Sequence, residues 1–373
     1  APTFDYRTIY KFRKKNSAHL SEEKKSKVGF LLYNLLNSFP FNILLGEGGL
    51  VYIITAYYQA VKYVRSYQVS FLFSSYRPFS DHIVGLLLKA RFPSIFWVAD
   101  FRDLHVDPAL KETFFPRFQL WCNRKILAKA NVVTTVSKGL AEHLKLIHPN
   151  VVVLRNGIGK YSELSNVIEQ PLNLFTIAYT GSMFRNLRRP DLLLEALSEL
   201  FLEKSMDRDK VEILYAGKDE ATWKPLLEKY GLWNTFRPLG NISHEAALQL
   251  QKNAHINLLL TYVTAELKGN ATGKLYEYLA ARQPILLLIN GSLDEELEEI
   301  FEETKAGLVA YYGQDEKSSV KIFLLKQYQI WQQSGKTGPA IEIAELEKFR
   351  WKYMMQEFLE NHFFSQFNEQ PKI

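Results

Sequence analysis

From residue 69 to about residue 310 the chain alternates short runs of apolar and β-branched residues with longer amphipathic stretches, and this rhythm constrains the fold more than any other feature. Short buried strands separated by helices form parallel sheets, because a parallel connection needs a crossover of about a dozen residues or more. Val69–Ser74, Ser94–Ala99, Val132–Val136 and Val151–Arg155 read as strands, with helices predicted over 81–90, 116–129 and 138–147. The periodicity weakens over Gly157–Pro171 and then starts afresh. Leu174–Tyr179, Val211–Ala216, Ile256–Leu260 and Pro284–Ile289 are the second set of predicted strands, interleaved with helices over 190–203, 221–230, 244–252, 273–282 and 293–304. The expected fold is α/β: two Rossmann-like, doubly wound parallel-sheet domains facing a cleft, with a helical C-terminal tail. The expected segments are 1–165, 166–340 and 341–373. Before residue 69 only Asn42–Leu45, ahead of Gly46-Glu-Gly-Gly49, suggests a strand and glycine turn, so the first domain is expected either to open on unusual strands or to lack its first ones.

A length of 373 residues suits two such domains at about 150 residues each. With 47% hydrophobic and 23% charged residues, the chain is neither disordered, collagen-like nor a coiled coil. Its single cysteine, Cys122, forms no internal disulfide, which fits a reducing, cytoplasmic setting. The net charge of +6 (46 basic minus 40 acidic residues) is concentrated at the start, where residues 1–30 hold eight basic residues against three acidic ones. Such a run is either a solvated arm or an attraction to an anionic membrane surface, worth about 1 kcal/mol per basic residue near lipid. Nucleic acid would feel the same field, but no binding motif accompanies the charge, so no nucleic-acid partner is expected. No stretch approaches the ~18 uninterrupted apolar residues of a spanning helix. Val28–Val64 is the most apolar region and reads as packed helices or an interfacial surface. The opening residues show no export signal, and no internal repeat is visible.

In an open parallel sheet, ligands bind beyond the carboxyl ends of the strands, so the loops after each strand are the places to look for chemistry. The first cluster is Asn270-Ala-Thr272-Gly273-Lys274-Leu-Tyr-Glu277, a loop running into a helix. Thr272 is the expected N-cap, and the free amides that follow it make an anion site with the helix dipole. Lys274 in the first turn opposes that dipole, so an external anion explains it better than helix design. Glu277, three residues on, shares its face. The bland reading is an exposed Lys-Glu pair. The second cluster is Tyr179-Thr-Gly181-Ser182-Met-Phe-Arg185-Asn-Leu-Arg188-Arg189-Pro190, a strand, a glycine turn and three arginines ahead of a helix. Arginine suits a diphosphate because its planar fork donates in pairs. The third is Trp97-Val-Ala-Asp100-Phe-Arg102-Asp103, a buried strand running into charges, which read either as a functional group or as an internal Arg102-carboxylate pair. Ser75, Arg77 and His82 lie after the preceding strand. A lone histidine such as His82 is more often packed than catalytic.

Together these clusters resemble the retaining family-4 glycosyltransferases of the GT-B fold. The likeness rests on Tyr179-Thr-Gly leading to Asp191-Leu-Leu-Leu-Glu-Ala-Leu197, on Thr134-Thr-Val-Ser137, Leu154-Arg-Asn-Gly-Ile158 and Leu214-Tyr-Ala-Gly217, and on Gly273-Lys-Leu-Tyr-Glu-Tyr-Leu-Ala-Ala281 before Pro284. Asp100-Phe-Arg-Asp103 resembles the D-x-R-D variant of bacterial polysaccharide enzymes. The resemblance covers residues 70–310 or so.

The resemblance implies transfer of a sugar, with retention, from a nucleotide diphosphate donor to a saccharide or lipid-linked saccharide, and the basic start with the apolar region to residue 64 fits a peripheral protein at the inner face of the cell membrane. Uridine diphosphate is the first choice of carrier and guanosine diphosphate the second. It implies no cofactor or metal, the positive charge coming from arginine and lysine. Glu277 takes the place of the second glutamate of the family's E-x7-E pattern, binding the donor ribose. Arg185 or Arg188, with Lys274, would hold the diphosphate, and Gly181, Ser182 and Arg189 belong to the same turn. Asn241-Ile242 would border the base, Asp100, Arg102 and Asp103 would join Arg188 and Lys274 as the catalytic set, beside the acceptor, and Ser75, Arg77 and His82 would face the acceptor. The chain departs from the pattern at Gly269, eight residues before Glu277, where relatives carry glutamate; Glu266 would replace it only in a rearranged loop. Arg102 stands where many relatives carry histidine. The rival readings are a sugar-nucleotide epimerase or hydrolase on the same fold and a scaffold without catalysis.

Overall fold

Runs of Val, Ile, Leu and Phe buried on both faces form the two parallel sheets, seen in a computed structural model that describes residues 27–44, 49–108, 113–159, 172–183, 187–264, 272–313, 316–338, 341 and 343–365. The chain divides into two compact units, Ala1–Arg155 with Phe358–Ile373, and Asn156–Glu357. The expected boundary at 165/166 lies outside the described residues.

The described part of the first unit begins with helices α1 (Lys27–Leu36), α2 (Phe41–Leu44) and α3 (Gly49–Tyr67), then continues β1 (Phe71–Tyr76), α4 (Ser80–Arg91), β2 (Phe96–Phe101), α5 (Pro116–Leu127), β3 (Val132–Thr135), α6 (Lys138–Leu144) and β4 (Val151–Val153). The strand expected near Asn42–Leu45 is instead the short helix α2. The Ser38 and Pro40 carbonyls accept from the Asn42 and Leu44 amides at 3.0 Å each, which turns the chain rather than extending it. All four strands are parallel, in the order β1-β2-β3-β4. Their register sets Ser75, Asp100 and Thr134 abreast.

The second unit runs β5 (Phe175–Thr180), α7 (Asp191–Leu202), β6 (Val211–Ala216), α8 (Glu220–Lys229), β7 (Phe236–Gly240), α9 (His244–Asn253), β8 (Ile256–Val263), α10 (Gly273–Ala281), β9 (Ile285–Gly291), α11 (Glu295–Thr304), β10 (Gly307–Tyr312), α12 (Lys317–Ser334), α13 (Ile343–Leu346) and α14 (Trp351–Phe358). Strand order is β10-β9-β8-β5-β6-β7, all parallel. Successive side chains of β9 point to opposite faces: Leu286 and Leu288 join the core under α7 and α8, whereas Ile285, Leu287 and Ile289 join the core under α10 and α11. Each such buried side chain contributes about 1.5–3 kcal/mol. β7 and β10 are the two edge strands and were absent from the sequence expectation. β7 contains Pro238 and is largely exposed after Phe236, as an edge permits, so no apolar run announces it.

After β7 the chain returns past β5 to lay down β8 on its other side, so the order of the sheet reverses between β5 and β8. At such a switch point the loops leave in opposite directions and open a crevice beyond the carboxyl ends of the two strands. Among the described residues no helix is long and apolar enough to cross a membrane.

Candidate active site

At the switch point β5 ends in Thr180 and turns at Gly181, whose φ of +145° lies where side chains are strained. The Gly181 amide donates to the Ala216 carbonyl at 2.8 Å. A Cβ on Gly181 would fall on Lys274 Nζ, so only glycine lets the ammonium settle on this turn. Lys274 is the second residue of α10, the helix that follows β8. Its Nζ also lies 5.9 Å from the centre of the Tyr179 ring. The Ser182 carbonyl accepts from Tyr179 Oη at 2.7 Å and from Arg188 Nη1 at 3.2 Å, which fixes the guanidinium beside the same turn. Burial, reinforced by the Arg188 charge and opposed by Glu277, pulls the Lys274 ammonium down to a pKa of about 8. Two cations therefore meet at one glycine turn, one of them at a helix N-terminus, where the dipole also disfavours it.

Glu277 shares a face of α10 with Lys274, three residues before it. Its Oε1 is 3.1 Å from His244 Nε2, and its Oε2 accepts from Gln251 Nε2 at 3.3 Å. Gln251 also donates to Thr180 Oγ1 at 3.0 Å, and Tyr278 Oη accepts from the Thr180 amide at 3.2 Å. The network ties the end of β5 to α9 and α10 and leaves the Glu277 side chain 24% exposed, within reach of a ligand. His244 and Gln251 were not singled out in the sequence. The available signal was Gln251, a polar residue at a position where α9 turns inward, where it is 1% exposed.

Thr272 occupies the N-cap position of α10 with extended backbone, but its side chain makes no capping bond, so the first-turn amides from Gly273 onward are not capped by it. Arg189 is drawn elsewhere: it pairs with Asp191 at 3.1 Å and stacks 4.1 Å from the centre of the Tyr312 ring. Asn241 and Ile242 follow Gly240 at the end of β7, Asn241 exposed and Ile242 half-buried. The Gly240 carbonyl accepts from the Gly217 amide at 2.9 Å, so β5, β6 and β7 all end in glycines with their backbones close together. Arg185, Glu266 and Gly269 lie outside the described residues.

In the first unit the charged end of β2 is satisfied from within. Asp100, 1% exposed, accepts from Thr134 Oγ1 at 2.8 Å, Ser75 Oγ at 3.0 Å and Arg102 Nε at 2.8 Å. The Arg102-carboxylate pair that the sequence left open is thus present. Asp103 is exposed. Arg77 Nε donates to Tyr76 Oη at 3.2 Å. His82 is fully buried, its Nδ1 2.8 Å from Ser74 Oγ, which also accepts from Trp97 Nε1 at 2.9 Å. Burial, with His105 nearby, holds its pKa down to about 3, so the ring is neutral.

No protein-family model matches the chain, and no curated protein matches it. Solved structures do. Sucrose-phosphate synthase from Thermosynechococcus elongatus is similar at 14% identity and a TM-score of 0.56, over 85% of this chain and 78% of that one. HepE of Anabaena, solved with UDP and glucose, is similar at 14% identity and a TM-score of 0.56, over 84% of this chain and 81% of that one. A Listeria monocytogenes structure named for a UDP-N-acetylglucosamine 2-epimerase is similar at 12% identity and a TM-score of 0.50, over 86% and 80%. Likeness at such identities shows the fold, and the chain has the one its sequence led us to expect: paired Rossmann-like parallel-sheet domains of the GT-B class.

Proposed function

We propose that the protein is a retaining glycosyltransferase that moves a sugar from a nucleotide diphosphate donor, UDP before GDP, to a saccharide or lipid-linked saccharide in surface polysaccharide synthesis. The observation that carries the reading is the meeting of Lys274 and Arg188 at the Gly181 turn, at the switch point of the second sheet. A buried ammonium beside a guanidinium is repelled in the free protein, and a diphosphate relieves that repulsion with charge-assisted hydrogen bonds. The same two cations stabilise the charge that builds on the departing nucleoside diphosphate, which is the electrostatic work such a transfer needs. Glu277, held by His244 and Gln251, is an acceptor for the vicinal hydroxyls of the ribose. The chemistry runs without a metal on this reading, and the protein works in the cytoplasm, at the membrane's inner face.

The UDP and glucose held by the similar HepE structure favour uridine among the bases. Titration with UDP and GDP, followed by thermal unfolding, tests the donor site: ligand that binds only the folded state raises the melting temperature as its concentration passes the dissociation constant. Protection by neither nucleotide overturns the reading. The epimerase-like fold match sustains a second reading, sugar-nucleotide epimerisation or hydrolysis. Product analysis with UDP-sugars and no acceptor separates the two, since an epimerase returns an isomeric UDP-sugar.

A further inference from the structure

Beyond Asp103, residues 104–108 after β2, the start of α5 and the end of α6 line a cavity of about 490 Å³ within the first unit. That is the size of a small-molecule site, for which ~300–1,000 Å³ is usual. Phe101, Leu104, Val106, Leu120, Leu144 and Ile147 line it. Asp107, Thr113 and His143 also stand in the wall, and two further polar residues of it are engaged with each other and with α2: His105 Nδ1 lies 3.0 Å from Asn123 Oδ1, and His105 Nε2 lies 2.9 Å from Asn42 Nδ2. Burial keeps the His105 ring neutral at physiological pH, at a pKa of about 4. His105 and Asn123 hold no charge and face each other, so that side of the cavity, with its six apolar side chains, suits hydrocarbon rather than a sugar.

The surroundings of the cavity have the opposite character. Leu146, which lines it, is 56% exposed, and its carbonyl accepts from Arg124 Nη2 at 2.6 Å, placing a guanidinium beside a wall residue that reaches solvent. Helix α5 carries Arg117, Arg124 and Lys125 and no carboxylate. On its neighbouring face Phe118 and Trp121 stack at 5.9 Å and are 46% and 55% exposed. An apolar hole beside a basic, aromatic helix is complementary to one kind of molecule, a hydrocarbon chain with an anionic head.

We propose that this cavity binds the hydrocarbon tail of an anionic amphiphile, with Arg124 meeting its head group. Naming that amphiphile as the acceptor rests on the glycosyl-transfer reading; the pocket and its chemistry do not. The tail could be unbranched acyl or isoprenoid, and the two are told apart by the probe.

The test is equilibrium binding of decyl phosphate and of farnesyl phosphate to the full chain, below their aggregation concentrations and without nucleotide, read by tryptophan fluorescence and calorimetry. Saturable binding at one site per chain is expected. Preference for decyl phosphate identifies an acyl pocket and preference for farnesyl phosphate an isoprenoid one. Leu120→Trp, which fills the cavity, should weaken binding at least tenfold. Arg124→Gln should weaken decyl phosphate several-fold while leaving decanol unchanged. If Leu120→Trp does not fold, Leu146→Asp at the exposed wall position takes its place, with the same expected loss. Absence of saturable binding overturns the proposal. So does equal affinity in wild type and both cavity variants, which would put the probe on the exposed leucines of α1 and α3 instead. UDP protection, measured in parallel, reports the second unit: its failure with amphiphile binding intact removes the glycosyl-transfer reading and leaves the pocket.

Discussion

The two units place charge at the carboxyl ends of their strands in opposite ways. In the first, Asp100 is buried but surrounded by Thr134, Ser75 and Arg102, so its charge is answered from within, and His82 is neutral with its Nδ1 against Ser74. In the second, Lys274 and Arg188 bring like charge to the Gly181 turn, with Glu277 the carboxylate that offsets Lys274. Both corners looked alike in sequence, each a strand running into charged residues. The difference teaches that a buried charge points to a ligand site where the fold sets it against a like charge. A compensated one marks a structural joint.

That contrast breaks first at Asp100. Removing one partner of a buried, hydrogen-bonded pair leaves the others stranded, so Asp100→Ala should cost about 3–5 kcal/mol of stability. Chemical denaturation measures it, and activity should fall only in step with the folded fraction. Lys274→Ala should show the reverse. Turnover should drop by about 10²–10³, the usual effect of losing one transition-state donor, with stability unchanged or raised, because a disfavoured buried ammonium is gone. Matching losses of stability and turnover in both variants would erase the distinction between the corners. Glu277→Ala should weaken UDP binding by about 1–3 kcal/mol, the worth of charged hydrogen bonds, with little change in melting temperature. Calorimetric titration showing wild-type affinity would remove Glu277 from the ribose.

How much of this was legible follows from what local pattern can encode. β2, β6 and β9 are mostly apolar runs because both faces are covered, with Asp100, Glu212 and Asn290 as their polar members, and they stand within two residues of where the sequence put them. β7 was missed because an edge strand tolerates Arg237 and Pro238. At the site, Lys274 and Arg188 were visible as cations on the wrong end of a helix. Arg189 carried the same signal, but Asp191 two residues on takes its charge, and sequence spacing does not say which arginine that carboxylate will choose. His244 and Gln251 escaped notice because α9 reaches Glu277 only through the β5-β8 neighbourhood, a product of strand order rather than of any motif.

The smallest expected effect sharpens the comparison through pH. Lys274 falls from the ordinary lysine value to about 8 because the fold buries it beside Arg188. With the folded pKa below the unfolded one, the free protein loses the proton first as pH rises. Lys274 thus costs stability in full below pH 8, and that cost disappears as pH climbs toward the unfolded lysine value near ~10.4. The melting-temperature advantage of Lys274→Met over wild type should therefore be constant below pH 8 and shrink above it. Nucleotide binding needs the ammonium charged, so UDP affinity should fall about twofold between pH 7 and pH 8 as half the population deprotonates, and protons should be taken up on binding. Lys274→Arg, charged throughout, should bind with a flat profile over that interval. Calorimetry in two buffers of different ionisation enthalpy reads the proton uptake directly. Affinity in the wild type as flat as in Lys274→Arg would mean that the ammonium does not touch the diphosphate, and the second unit's charge would then be as internal as the first's.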